Sequence, residues 1–175
     1  DVVAVNDLAS PDQLAYAFKY DSTHGVFPGE VSFDGDRFKV LSERGPTKLP
    51  WEELGVDYVI ESSGAFRLLV DLQKHIDGGA KRVVLTVPCK DSLDATLVSG
   101  VNDHVVTPSS TIISNASCTT NCAAPLTKVL HDSFGIRRGL LTTVHAYTSG
   151  QRLIDFPHAS DKRRSRNAAT NIVPT

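Results

Sequence analysis

The sequence predicts an α/β protein with a largely parallel sheet and a hairpin insertion. Short apolar runs of strand length recur along the chain, and segments with helical spacing separate several of them. Strands that alternate with helices are typical of parallel sheets. Hydrophobic residues make up 41% of the 175 residues, which indicates a buried core, and no apolar run approaches the roughly 20 residues of a bilayer helix.

The first predicted strand and helix lie at the start of the chain. Residues 1–7 (DVVAVND) form an apolar run that ends in an acid, as a buried parallel strand would. A helix is predicted over residues 11–20, with Ser10 as the N-cap and Pro11 at the first helical position, where its missing N–H costs nothing.

The hairpin insertion and a second strand and helix follow. Residues 29–43 alternate around Asp34-Gly35, which is a strong hairpin signal. Residues 56–64 form an apolar strand that ends in small residues. Residues 67–80 have helical spacing and stop at a pair of glycines.

The next elements repeat the pattern. Residues 81–88 and 111–117 are predicted strands. A helix is predicted from Thr119 to about Phe134, ended by Gly135, and a strand over 139–147 (GLLTTVHAY). After Thr148 the periodicity disappears into a polar, basic stretch, and a long irregular segment of this kind is usually functional.

Cys118 lies where the strand 111–117 gives way to a helix. The free N–H groups and the positive end of the helix dipole favour a thiolate there, which is the nucleophilic form of cysteine. A small buried side chain is the alternative, since that is the usual fate of a free cysteine. Cys122, one helical turn on, is expected to pack inward. The C-x3-C spacing fits neither a C-x-x-C redox motif nor a zinc site, and three cysteines suit a reducing compartment.

A nucleophilic cysteine needs a base, and the chain has six histidines. His145 lies near the end of the predicted strand 139–147, and ligand sites of parallel sheets lie beyond the carboxyl ends of strands. This position favours His145 over His75 and His131, which fall on helical patterns and are expected at the surface.

Two further features suggest ligands. Asp7 ends the first strand, where an acid in a dinucleotide-binding fold hydrogen-bonds the adenosine ribose. The glycine fingerprint would then precede the chain, so an ordinary strand-end acid is the alternative. Residues 162–167 (KRRSRN) are compatible with nucleic acid, with a small phosphorylated substrate or with a solvated loop. The net charge of -2 argues against bulk attraction to nucleic acid or an anionic membrane.

Together these stretches closely resemble the phosphorylating, glycolytic glyceraldehyde-3-phosphate dehydrogenases over essentially the whole chain. The matching stretches include VVAVNDL, LPWEELGVDYVIESSGAF, HIDGGAKRVVLTVP, SNASCTTNCAAP, GLLTTVHAYT and NIVPT. The resemblance implies an NAD-binding domain over 1–117, a Rossmann-like, doubly wound, mostly parallel sheet without its first strand and glycine loop. It implies that residues 118–175 begin an α+β catalytic domain, with the S-loop at about 148–175.

The resemblance also implies roles for individual residues. It assigns Cys118 as the nucleophile and His145 as its base and proton donor. It implies NAD as cofactor, with the ligands Asp7, Arg44, Ser62 and Thr86. It implies Ser117, Thr119 and Arg164 as ligands of inorganic phosphate, with Arg163 as the alternative to Arg164, and Thr148 as a ligand of the substrate's own phosphate.

The same resemblance implies glyceraldehyde 3-phosphate and inorganic phosphate as substrates, a cytoplasmic homotetramer, and no membrane or nucleic-acid partner. The chain has no methionine and opens within a strand, so we expect a fragment of a longer protein that is inactive alone. The rival interpretations are an erythrose-4-phosphate dehydrogenase, which TTVHAYT disfavours, a cysteine hydrolase using Cys118 and His145, and an RNA-binding module using KRRSRN.

Overall fold

The computed structural model describes residues 1–33 and 38–174 and shows parallel sheets with helices, so the predicted α/β class is confirmed. The chain divides into two units, Asp1–Ser133 and Phe134–Thr175. In chain order the elements are β1 (Ala4–Asn6), α1 (Pro11–Lys19), β2 (Tyr20–Asp21), β3 (Gly25–Val26), β4 (Lys39–Leu41), β5 (Tyr58–Glu61), α2 (Leu69–Asp77), β6 (Arg82–Leu85), β7 (Ala95–Thr96), β8 (Ile112–Ser114) and α3 (Cys118–Phe134), with short 3-10 helices at Pro46–Lys48, Asp103–Val105 and Lys162–Ser165.

The first unit is organised around a four-stranded parallel sheet with the order β5-β6-β8-β7. In this sheet Val83 of β6 is in register with Val59 of β5 and Ile112 of β8. A second parallel pair joins β1 to β4, and β2 and β3 form a short antiparallel pair. Parallel strands place their carboxyl ends at one edge, so the loops that follow β5, β6 and β8 share a side of the molecule.

The core lies between this sheet and the segments packed on it. Its buried members are Leu49, Trp51, Val56, Val59, Leu72, Ala80, Val83, Leu85 and Ile112. Leu72 of α2 is fully buried and α2 contacts β6, so this helix covers one face of the sheet. Burying a side chain of this size contributes about 1.5–3 kcal/mol. Ala4 and Leu41 pack against the same core and attach the β1–β4 pair to it.

The predicted start of α1 and the predicted stop of α2 at a pair of glycines are confirmed, although α2 begins at Leu69, two residues later than predicted. Ser10 caps α1 in a capping box with Gln13, in which each side chain accepts a backbone N–H of the other residue. Helix α2 ends at Asp77 with Gly78 as its C-cap, and the following Gly79 has φ +100°. A Cβ on Gly79 would lie 2.3 Å from the Glu52 Cβ, so this position needs glycine for its backbone angle and for space.

Two predicted elements differ from the structure. The strand predicted over 139–147 is wrong, because these residues form no regular element and Leu140, Leu141 and Val144 are exposed. A strand is held by hydrogen bonds to a neighbouring strand, and the sheets of the described residues include no strand from this segment. The Asp34-Gly35 turn lies outside the described residues, although β4 beyond it pairs in parallel with β1 instead of closing an antiparallel hairpin.

Within the described part of the chain, no helix has the length and apolar character needed to cross a membrane.

Candidate active site

Three of the predicted site segments lie at one edge of the four-stranded sheet. Ser62 follows β5, Thr86 follows β6, and Cys118 follows β8 after a short turn. The backbone joins these loops, since Thr86 N–H donates to Glu61 O (3.0 Å) and Asn115 N–H donates to Leu85 O (2.9 Å). The structure therefore brings two predicted cofactor ligands and the predicted nucleophile to the carboxyl ends of adjacent strands, where ligands bind in such sheets.

The turn that leads to Cys118 is held by a buried serine. The Ser114 hydroxyl, which is fully buried, donates to Val87 O (2.8 Å) and accepts from Ala116 N–H (3.1 Å). Ala116 adopts a left-handed backbone with φ 59°, a conformation that costs a residue with a Cβ about 1–2 kcal/mol. This tight turn reverses the chain immediately before the helix that carries Cys118.

Cys118 is the first residue of α3 and is exposed. Ser117 precedes it and acts as the cap of the helix: its Oγ accepts from Thr120 N–H (3.0 Å) and its carbonyl from Asn121 N–H (2.8 Å). Thr119, the other predicted phosphate ligand, is half-buried in the first turn of α3. The arrangement places a thiol, hydroxyls and backbone N–H groups at the positive end of a 17-residue helix. Cys122 is also exposed, so the expectation that it packs inward is wrong.

Asp7 and Arg44 lie at the carboxyl ends of the β1–β4 pair, and both are exposed. Asp7 N–H donates to Leu41 O (3.1 Å), and the Asp7 carboxylate accepts from Ala9 N–H (2.8 Å) through Oδ1. The side chain of Asn6, one residue earlier, exchanges two hydrogen bonds of 3.0 and 2.8 Å with the backbone of Glu43, next to Arg44. The structure therefore holds the predicted ribose ligand and Arg44 at one end of this pair.

His145 belongs to the second unit and lies in the irregular, exposed segment 139–147. Its Nδ1 is 2.6 Å from Ala146 O. A carbonyl oxygen can only accept, so Nδ1 donates in this contact, and the lone pair of a neutral imidazole would then lie on Nε2. This tautomer has the free-base nitrogen that a general base requires.

Thr148 forms a compact turn with Gln151 three residues on. The Gln151 Oε1 accepts from the Thr148 N–H (2.6 Å) and hydroxyl (3.0 Å), and Gln151 N–H donates to Thr148 O (3.0 Å). The predicted phosphate ligand is thus an exposed hydroxyl in a defined position beside His145 in the sequence.

The basic stretch of the second unit is ordered by aspartates. Asp161 caps the 3-10 helix Lys162–Ser165, and its carboxylate binds Arg163 through Nε (3.1 Å) and Nη2 (2.8 Å). The hydrogen bond from Arg163 lowers the pKa of Asp161. Arg166 pairs with Asp155 at 2.5 Å. Asp161 thus occupies the guanidinium fork of Arg163, and both Arg163 and Arg164 are exposed.

The sequence interpretation missed a buried polar cluster beside the sheet. His75 is buried, not at the surface: its Nδ1 accepts from Trp51 Nε1 (3.0 Å) and its Nε2 is 3.2 Å from Glu61 Oε2. Burial raises the pKa of Glu61, but hydrogen bonds from His75 and Ser63 outweigh it and hold that pKa below its usual value. The helical spacing offered a signal, because His75 lies three residues after Leu72 and shares its face of α2.

Among residues 1–33 and 38–174, no group of three or more His, Cys, Asp or Glu side chains is placed to hold a metal ion.

Two family models match the chain. Residues 1–68 match the NAD binding domain of glyceraldehyde 3-phosphate dehydrogenase, and residues 117–175 match the C-terminal domain of the same family. The glyceraldehyde-3-phosphate dehydrogenases of Borreliella burgdorferi and Thermotoga maritima are each 52% identical to the chain over its full length, covering 55% and 54% of those relatives. That of Debaryomyces hansenii is 51% identical over 99% of the chain and 54% of the relative. The chain thus spans about half the length of the curated relatives it matches.

Proposed function

Because the chain belongs to the glyceraldehyde-3-phosphate dehydrogenase family, we propose that the protein oxidises and phosphorylates glyceraldehyde 3-phosphate to 1,3-bisphosphoglycerate with NAD, through a thioester on Cys118. The observation that carries this proposal is the position of Cys118. An exposed thiol begins a long helix, directly beyond the carboxyl ends of parallel strands, and the loops that follow β5 and β6 lie at the same edge.

In this proposal Cys118 is the covalent catalyst. Its thiolate attacks the aldehyde carbon, and the carbonyl oxygen takes a proton to give a hemithioacetal. His145 would then remove the hydroxyl proton through Nε2, which carries the lone pair in a neutral imidazole that donates Nδ1–H to Ala146 O, as a hydride leaves the same carbon and the thioester forms. A phosphate oxygen attacks the resulting thioester, the carbon–sulfur bond breaks, and the Cys118 thiolate is regenerated as the acyl phosphate leaves.

Bound NAD would supply the acceptor for the hydride that leaves the hemithioacetal carbon. The residues present fit this cofactor: the exposed Asp7 carboxylate follows a parallel strand, as a ligand of ribose hydroxyls does. We propose Arg44, Ser62 and Thr86 as its further ligands, since each follows the carboxyl end of a parallel strand. Residues 1–117 are proposed as the NAD-binding domain, and residues 118–175 as the start of the catalytic domain.

Both phosphate groups would meet hydroxyl ligands, and the inorganic phosphate would also meet a cationic ligand. Ser117 and Thr119 flank Cys118 at the N-terminus of α3, where backbone N–H groups and the helix dipole favour an anion. We propose that they bind inorganic phosphate together with Arg164, and that Thr148 binds the substrate's own phosphate. We further propose a cytoplasmic homotetramer without a membrane or nucleic-acid partner.

The test measures NAD reduction by the intact protein with glyceraldehyde 3-phosphate and phosphate. Cys118→Ser is compared with Cys122→Ser, a matched change of an exposed thiol one turn further along α3. We expect Cys118→Ser to lower kcat by more than about 1,000-fold and Cys122→Ser to leave it within about twofold. Equal activity of Cys118→Ser and wild type would refute the thioester mechanism. Erythrose 4-phosphate serves as the competing aldehyde, and a higher kcat/KM for it would reassign the substrate.

A further inference from the structure

A continuous chain of hydrogen bonds runs through the core from Trp51 to the loop after β5. Trp51 Nε1 donates to His75 Nδ1 (3.0 Å), and His75 Nε2 lies 3.2 Å from Glu61 Oε2. The other Glu61 oxygen, Oε1, accepts from the N–H (2.8 Å) and the hydroxyl (2.5 Å) of Ser63. Trp51, His75 and Glu61 are 5%, 2% and 6% exposed, so water does not compete for the bonds among these three side chains.

The direction of the proton in each bond follows from its partners. An indole N–H can only donate, so His75 Nδ1 must be an acceptor and the imidazole proton must reside on Nε2. Nε2–H then donates to the Glu61 carboxylate. In an imidazolium, the Nδ1–H and the indole N–H would be two donors pointing at each other. Trp51 therefore favours the neutral tautomer with its proton on Nε2, which donates to Glu61. The tryptophan therefore orients a carboxylate that it does not touch.

Glu61 accepts hydrogen bonds from two loops of the proposed cofactor site. Its side chain holds Ser63, which follows the predicted ligand Ser62, and Ser63 Oγ accepts in turn from Ala65 N–H (3.2 Å). Its backbone carbonyl accepts from both the N–H (3.0 Å) and the hydroxyl (3.2 Å) of the predicted ligand Thr86. The orientation of this one residue at the end of β5 is thus coupled to the loops after β5 and β6.

We propose that Trp51 and His75 are positioning residues for NAD: through Glu61 they preorganise the loops that carry Ser62 and Thr86. This inference rests on the proposed function. A buried carboxylate and imidazole stabilise a core no better than apolar side chains of the same volume, since desolvation offsets their attraction. Their use is orientation, because a loop held in its binding geometry loses less entropy when the ligand arrives.

The experiment compares His75→Leu with His75→Gln in the intact protein. Leucine removes both hydrogen bonds, whereas glutamine keeps one acceptor for Trp51 and one donor for Glu61. Calorimetric titration gives the Kd for NAD, steady-state kinetics give kcat and both KM values, and thermal unfolding checks the fold. We expect His75→Leu to raise Kd and KM for NAD about tenfold, as the loss of a buried hydrogen bond would. We expect kcat and the KM for the aldehyde to change by less than about twofold and His75→Gln to restore most of the NAD affinity.

A second pair of variants keeps the test decisive if His75→Leu does not fold. Ser63 is exposed, so Ser63→Ala removes one hydrogen bond to Glu61 without disturbing the core, and Ser63→Thr retains it. We expect a weaker NAD affinity for alanine and a wild-type affinity for threonine. A folded His75→Leu protein with unchanged affinity, or equal affinities within both pairs, would overturn the inference alone. A wild-type protein that binds no NAD would overturn the proposed function and this inference together.

Discussion

Ser114→Ala tests how the turn before Cys118 is held. Ser114 is fully buried, and its hydroxyl makes both the bond to Val87 O (2.8 Å) and the bond from Ala116 N–H (3.1 Å). Alanine fits the same space, so the substitution removes two hydrogen bonds and adds no steric conflict. Its effect therefore measures these bonds rather than repacking.

The expected loss of stability follows from the two backbone groups that lose their hydrogen-bond partner, the Ala116 N–H and the Val87 carbonyl. Ala116 is 4% exposed, so its N–H loses its partner in a dry environment, which costs about 1–3 kcal/mol. Val87 is half-buried and water can replace the hydroxyl at its carbonyl, so this second loss adds little. We expect the free energy of unfolding to fall by about 2 kcal/mol. The left-handed backbone of Ala116 would relax, which would displace Cys118. Because small displacements of a nucleophile slow the reaction strongly, we expect kcat to fall about tenfold or more.

The assay is urea unfolding of the intact protein followed by circular dichroism, together with the steady-state kcat. Ser109→Ala is the matched control, because it removes an exposed hydroxyl whose partner is the Thr107 hydroxyl at 2.8 Å. We expect this control to change stability by less than about 0.5 kcal/mol. If Ser114→Ala were as mild as Ser109→Ala in both measurements, the buried serine would not hold the turn and the reasoning would be wrong.

Three further predictions concern stability, and each is checked by chemical denaturation. Gly79→Ala is expected to cost well over 1 kcal/mol, since its Cβ would lie 2.3 Å from Glu52 Cβ at φ +100°; a neutral effect would contradict this geometry. Ser10→Ala removes the cap that accepts Gln13 N–H and should cost about 1 kcal/mol, with Ser10→Asp near wild type. Glu61 has a native pKa below its unfolded value, so its stabilisation is complete above about pH 4.3 and is lost as the pH falls through the native pKa. Glu61→Gln should therefore be less stable at neutral pH but lose less stability on acidification, and parallel pH curves would refute this.

Elements controlled by local chemistry were predictable from the sequence. Ser10 and Pro11 determine where α1 begins, because a hydroxyl that accepts a free N–H and a ring with a helical φ act within one turn of the chain. Helix α2 ends before a pair of glycines, and the second of them, Gly79, has a backbone angle that other residues adopt only at a cost. The start of α3 at Cys118 follows the same logic, with Ser117 as its cap.

Features that depend on distant partners were not predictable in this way. The apolar alternation of residues 139–147 predicted a strand, but a strand also needs a neighbour for its backbone groups, and sequence pattern carries no information about that neighbour. His75 was expected at the surface because it falls on a helical pattern, where a histidine is more often exposed. Its position on the face of Leu72 was the better guide, and the partners that satisfy it, Trp51 and Glu61, lie 24 and 14 residues away.

Some residues of the candidate site could be predicted from the local sequence, and others only from the family resemblance. Cys118 could be singled out from its place between a strand and a helix, and the structure has it at that place. The phosphate roles of Thr148 and Arg164 came from family resemblance, since no local pattern distinguishes a phosphate-binding threonine from an ordinary one. Arg163 and Arg164 are neighbours in the sequence, Arg163 binds Asp161, and the choice of Arg164 as the phosphate ligand stays a prediction.

The distribution of the core along the chain has a consequence for folding kinetics. Eight of the nine buried residues of the core cluster lie between Leu49 and Leu85, and β5 pairs with β6 through partners only 24 residues apart, Val59 and Val83. Bringing β5 and β6 together closes a shorter loop and costs less entropy than joining β1 to β4, whose partners Ala4 and Lys39 are 35 residues apart. We expect the β5–α2–β6 segment to form in the folding transition state. Substitutions at Leu72 should then slow folding, whereas Ser114→Ala should mainly accelerate unfolding.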